Sequence, residues 1–206
     1  MIDALFGSKT RVKLLHLFLN NPGKAFYVRE ITRLIEEQIN SVRRELANMT
    51  NVGIVKSDSA DNKLYYEVNQ RYEHYVPLRA IFSDDKSVIQ AVKQSKVGHQ
   101  DTAGLTAQIE SLGKVRVAVI AGLFVTGSTS PVDLLIVGSP PAGRVSKLVA
   151  EIEANEGREI NYTVLAYDEF YYRLSVRDRF VVDILSGKHS VLIDADGLLD
   201  RTNKEE

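Results

Sequence analysis

Phe26-Tyr27-Val28-Arg29-Glu30-Ile31, then Asn40-Ser41-Val42-Arg43-Arg44-Glu45-Leu46, then Val52-Gly53-Ile54-Val55: read together, these pieces decide the fold of the first third of the chain. Val28, Ile31, Leu34 and Ile35 recur at helical spacing, so a helix over residues 28–35 with those four facing inward is expected. Glu36-Glu37-Gln38 is a short polar turn. A further helix follows over residues 40–51, where Ile39, Val42, Leu46 and Met49 return every three or four positions and share one face. Gly53 stops it.

Working outward, Ser8 can cap an earlier helix running to about residue 20, with Val12, Leu14, Leu15, Phe18 and Leu19 on its buried side. Asn21-Pro22-Gly23 ends it, and residues 25–27 form a short extended piece. Downstream, residues 54–58 and 64–68 read as two strands around a turn, Ser59-Ala60-Asp61-Asn62-Lys63, rich in residues that tolerate the left-handed region. Residues 71–82 (Tyr72, Tyr75, Val76, Leu78, Ile81, Phe82) read as one more amphipathic helix, with Pro77 starting or kinking it. It is the candidate contact for a dimer.

If Ile39, Val42, Leu46 and Met49 point inward, the opposite side of the third helix carries Asn40, Ser41, Arg44 and Asn48. Arg43 lies on one flank and Glu45 on the other, where it would partly offset the arginines. Arginine can bond guanine bidentately, asparagine can bond adenine, and serine can reach base edges or phosphate. Tyr27, Arg29 and Arg33 on the preceding helix, with Lys56 and Lys63 in the hairpin, could hold phosphates and fix register. The three quoted pieces resemble the winged helix-turn-helix repressors of the ArsR/MarR type over about 65 residues. The resemblance implies that the helix near Asn40 enters the major groove of duplex DNA. The paired histidines or cysteines of some ArsR-type metal sensors are missing.

Composition sets the outer bounds. The chain has 206 residues, no cysteine and a net charge of −1, so disulfides and thiolate metal sites are excluded. His16, His74, His99 and His189 are too far apart in sequence to suggest a metal site. Residues 1–76 carry a net charge of +2 and the remainder −3, so any DNA affinity has to come from a few placed cations. The apolar patch at residues 14–19 belongs to an amphipathic helix rather than a signal peptide, and no apolar run is long enough to span a bilayer. A cytoplasmic protein without a membrane partner is expected.

The second half follows another pattern. Residues 115–125 and 132–137 are nearly continuous apolar runs, residues 143–154 have helical spacing, and residues 160–166 read as a strand. Helices are expected to start at residues 168–172 and to cover 180–185, with a last strand at 189–193. Gly127-Ser128-Thr129-Ser130-Pro131-Val132-Asp133-Leu134-Leu135-Ile136-Val137 resembles the polymerase-β-like nucleotidyltransferases. There a Gly-Ser pair precedes two strand carboxylates two residues apart, and a third acid sits on a later strand. Such carboxylates clamp magnesium over a triphosphate. Here Asp133 matches one acid, Pro131 stands in place of another, and Asn161 or Tyr162 stands in place of the third.

The resemblances together imply an α/β (α+β) chain: a winged helix-turn-helix with trailing helix (1–82), a linker (83–104) and a nucleotidyltransferase-like domain with a mixed sheet (105–206). The expected protein is a homodimeric, sequence-specific transcriptional regulator of duplex DNA. Its second domain is catalytically inactive and serves dimerisation, sensing of a nucleotide or protein effector, or partner binding, and no cofactor is expected. A metal-dependent nucleotidyltransferase targeted by its winged helix, and a protein-interaction scaffold, are the alternatives.

Overall fold

Ser8 sets the first helix. Its hydroxyl accepts the N–H of Arg11 at 3.3 Å, and α1 (Lys9–Leu19) begins behind it with Val12, Leu14, Leu15, Phe18 and Leu19 buried. The computed structural model describes residues 6–60, 62–83 and 102–199. It is a mixed α/β structure that divides into two units, Met1–Ser95 and Lys96–Glu206.

In the first unit, β1 (Phe26–Tyr27) runs straight into α2 (Val28–Ile35), and α3 (Ile39–Val52) follows after a three-residue turn. The turn opens with Glu36 at φ 52, a left-handed conformation more often filled by glycine. Gly53, at φ 88, caps α3 by donating its N–H to the carbonyls of Met49 and Thr50. The hairpin β2 (Val55–Ala60) and β3 (Lys63–Val68) is longer at the turn than expected. Its last pair is Ala60↔Lys63, and Asn62 takes the left-handed turn conformation. Strand β1 pairs with β3, giving the antiparallel order β1-β3-β2.

One inward assignment and one helix boundary are corrected. Leu34 is 54% exposed, because Ile31 and Ile35 already fill the buried side of an eight-residue helix and Leu34 lies off that line. The helix α4 spans only Tyr75–Phe82, since residues 71–74 turn before it and Pro77 falls in its first turn, where a missing N–H costs nothing. Tyr75, Val76 and Phe82 are buried in the core of their own unit. Phe82 stands edge-on to Phe6 and His16, and its carbonyl accepts the Asn20 amide at 3.0 Å. That buried face is therefore spent within its unit.

The second unit opens with α5 (Thr102–Ser111), which starts inside the stretch expected as linker. Then come β4 (Val115–Ile120), a short 3-10 turn (Gly122–Phe124), β5 (Leu134–Gly138), α6 (Ala142–Glu156), β6 (Tyr162–Leu165), α7 (Tyr167–Ser175), α8 (Arg179–Ser186) and β7 (Ser190–Asp194). The sheet order is β6-β5-β4-β7. Strands β4 and β5 are antiparallel, β4 and β7 antiparallel, and β5 and β6 parallel across the α6 crossover. Leu134 and Ile136 face the α5/α6 layer, whereas Leu135 and Val137 face α7 and α8. Burial on both faces is why β5, and β4 after Arg116, read as apolar runs. The helical piece expected around residues 88–92 and most of the expected linker lie outside the described residues. Among the described residues no helix is long and apolar enough to cross a membrane.

Candidate functional site

Helix α3 divides its residues sharply. Val42, Leu46 and Met49 are buried in the unit core, while Asn40, Arg43, Arg44 and Asn48 are exposed and Ser41 is half-buried. Asn40, Arg44 and Asn48 are spaced by four, so they run along one side of the helix. Arg29 and Arg33 are exposed on α2. At the start of that helix Tyr27 meets the hairpin: its ring lies edge-on to Tyr65 with centroids 6.0 Å apart, and the Lys63 ammonium sits 5.3 Å from its centroid. Tyr27 and Lys63 are therefore brought together. Lys56 is elsewhere, on β2 opposite Glu67, with its ammonium 3.6 Å from that carboxylate, so its charge is partly compensated.

Glu45 is not on the flank of this surface. It is 3% exposed and faces α1. The Ser8 hydroxyl donates to Oε1 at 2.9 Å and Arg11 Nε donates to Oε2 at 3.0 Å. Burial works to raise its pKa, but the hydrogen bonds from Ser8 and Arg11, with help from Asn48, outweigh burial and hold it below the ordinary value. The signal was present in the spacing, because residue 45 lies three after Val42 and four before Met49, on the apolar side. A second brace holds the turn between α2 and α3. Lys13 Nζ lies 2.8 Å from Glu37 Oε1 and donates to the Ile35 carbonyl at 2.8 Å, and this lysine bond is the chief reason Glu37 is held below its ordinary pKa. Both braces act from α1, behind the exposed face of α3. The arginines of that face are thus not offset by Glu45.

The second candidate, around Asp133, has a different character. Asp133 stands just before β5 and is 1% exposed. Its Oδ1 accepts the N–H of Leu123 and its Oδ2 the N–H of Asn161, both at 2.8 Å. Its own carbonyl accepts the N–H of Ala121 at 2.9 Å, and its N–H donates to the Asn161 carbonyl at 2.7 Å. A side chain on Gly122 would meet Asp133 Oδ1 at 2.1 Å, and Gly122 has φ 53, so only glycine fits there. The Ser128 hydroxyl oxygen accepts the N–H of Gly122 at 2.9 Å, and the buried Ser130 hydroxyl donates to the Val132 carbonyl at 2.9 Å. Asn161 donates its amide to the Pro131 carbonyl at 2.9 Å, and Tyr162 is 40% exposed on the neighbouring strand. The positions of the expected acids do converge, but what converges there is a backbone brace. A divalent cation at Asp133 would first have to displace two backbone N–H groups.

Sequence reasoning passed over one cluster. Arg116 on β4 donates Nε to Asp196 Oδ2 at 2.8 Å and a second bond to Oδ1, with its guanidinium 4.5 Å from the Tyr167 ring centroid. The Asp196 bond raises the Arg116 pKa and lowers that of Asp196. The partners are 80 residues apart, so no local pattern announces them. Among the described residues no group of three or more histidines and acids is gathered as for a metal ion. No protein-family model, curated protein or solved structure matches the chain.

Proposed function

We propose that the first unit is a winged helix-turn-helix that binds duplex DNA through α3, and that the protein is a sequence-specific transcriptional regulator. The observation that carries this reading is the exposed pair Asn40 and Arg44, with Arg43 beside them, on a helix fastened from behind at Glu45, which Asn48 also bonds. A side chain that is to read a base edge has to be both free and held in place. The order of α1, α2, α3 and a β-hairpin supports the same reading. Arg29 and Arg33 on α2, and Lys63 stacked on Tyr27, supply phosphate contacts that set register.

The second unit is a nucleotidyltransferase-like domain without catalysis, serving partner binding or effector sensing. That part is supported by the strand and helix order around Asp133 and by the consumption of its carboxylate in backbone hydrogen bonds. Titration of labelled duplex by fluorescence anisotropy over a range of salt tests the proposal. The expected result is affinity that falls steeply as salt rises, with a slope reduced by about one in Lys63→Ala. Absence of salt-sensitive binding by the full chain would overturn it. Incubation with labelled nucleoside triphosphates and magnesium is expected to give no transfer, and transfer that depends on Asp133 would return the second unit to catalysis.

A further inference from the structure

The sheet of the second unit ends in two unlike edges. At one edge, β7 is preceded by Lys188 and His189, groups of the kind that discourages another strand from adding, while Asp194 and Asp196 at its far end are bonded within their own unit. At the other edge, β6 pairs with β5 on one side, and among the described residues no strand pairs with its outer side. Residues 160–167, Ile-Asn-Tyr-Thr-Val-Leu-Ala-Tyr, contain no lysine, arginine, aspartate, glutamate or proline. Of the usual devices that protect an edge strand, β6 has only its shortness, four residues, and neither a charge nor a proline. Moreover Tyr162 and Val164, each 40% exposed, lie on the same face, opposite Leu134 and Ile136 of β5.

We propose that β6 is a homodimer contact, pairing antiparallel with β6 of a second copy about a two-fold axis through the sheet at Thr163. Charge selects the occupant. Self-pairing of this segment brings no like charges together, and a neutral edge offers no salt bridge to a charged peptide. The symmetry also matches the side chains. With Thr163 opposite Thr163, Tyr162 falls beside Val164 of the second copy, and Val164 beside its Tyr162. These are two aromatic–β-branched pairs on one face. The two four-stranded sheets become continuous, and the unpaired backbone groups of both edges are satisfied. The inference is independent of the DNA-binding reading. If both hold, two copies of α3 act together and the preferred DNA site has two-fold symmetry.

Sedimentation equilibrium of the full chain is the first test. The wild type is expected to show a monomer–dimer equilibrium in the micromolar range, and Val164→Lys to weaken it by about tenfold or more with an unchanged thermal melt. Because the chain has no cysteine, a single introduced one gives a second readout that does not depend on Val164→Lys folding. Directly opposed side chains at Thr163 would have β-carbons about 5 Å apart, near disulfide distance. Thr163→Cys should therefore form a covalent dimer with oxidised glutathione, which takes up the two electrons, while Val191→Cys on the other edge should stay monomeric. A wild type that is monomeric throughout, a folded Val164→Lys that dimerises as well as wild type, or equal cross-linking at 163 and 191 would overturn the proposal.

Discussion

Two rows of polar side chains lie at the two candidate sites, and they are used in opposite ways. On α3 the exposed Asn40, Arg43 and Arg44 project from a helix whose only buried acid is bonded to α1. Around β5, Asp133, Ser128, Ser130 and Asn161 are all spent on backbone groups of the adjacent loops. Similar chemistry in the sequence thus becomes an exposed row in one unit and a fastening in the other. The difference is made by what lies behind each row. Helix α3 has an apolar back to bury and leaves its polar side outward, whereas the loop before β5 is buried at Ser130, Val132 and Asp133, where polar side chains have to satisfy nearby backbone groups.

The strongest way to break this contrast is at the fastening. Asp133→Ala leaves the N–H groups of Leu123 and Asn161 without their acceptor, so a loss of about 3 kcal/mol or more from the second unit is expected. Gly122→Ala should be comparably harmful, since its β-carbon would collide with the same carboxylate. Chemical denaturation measures both losses, and duplex affinity of the folded fraction should be unchanged. A destabilised variant that also loses DNA would show that the two rows are not separate.

Next in size is the brace behind α3. Glu45→Ala removes an acceptor used by Ser8 and Arg11, and with Arg11 partly in solvent the expected cost is about 1–3 kcal/mol. The sign of the pH dependence follows from the lowered pKa of Glu45. Its contribution is complete above the unfolded glutamate value of about 4.3 and is lost as pH falls through the lower folded value. Melting curves across acid pH should therefore be flatter for Glu45→Gln than for wild type.

Arg44→Ala acts on the other side of the same helix. It should leave stability within about 0.5 kcal/mol and remove about 1–3 kcal/mol of discrimination at one base pair. A competition titration with single-base variants of a bound duplex reads that loss. The smallest effect is expected at the turn between α2 and α3, where Glu36→Gly relieves a left-handed backbone at φ 52 and should raise the unfolding midpoint by an amount equivalent to about 0.5–1 kcal/mol. If it also sharpened or blurred sequence preference, the turn would be part of the recognition surface rather than a mere connection.

Much of this was legible in the chain itself. Ser8, Gly53 and the spacing of Val42, Leu46 and Met49 give α1 and α3 within a residue or two, because caps and periodicity are local. The apolar runs of β4 and β5 announce strands buried on both faces for the same reason. Glu45 was misplaced although its spacing was favourable, since a charged residue reads as exposed until its partner is known, and Arg11 lies 34 residues away. Helix α5 was missed because Thr102–Ser111 has only Leu105 and Ile109 as buried apolar positions, too few to mark a period. The role of Asp133 was half-visible. Its isolation from other acids argued against metal binding, but its two N–H donors lie on distant loops that no spacing rule joins.

Selection of bound duplexes from a random pool, run in parallel on the wild type and Arg44→Ala, tests the central claim most directly. The account predicts a defined site for the wild type and the same site with preference lost at one base position (or at its symmetry-related pair) for the variant. No enrichment by the wild type, or identical preferences for the two proteins, would contradict recognition of DNA through α3.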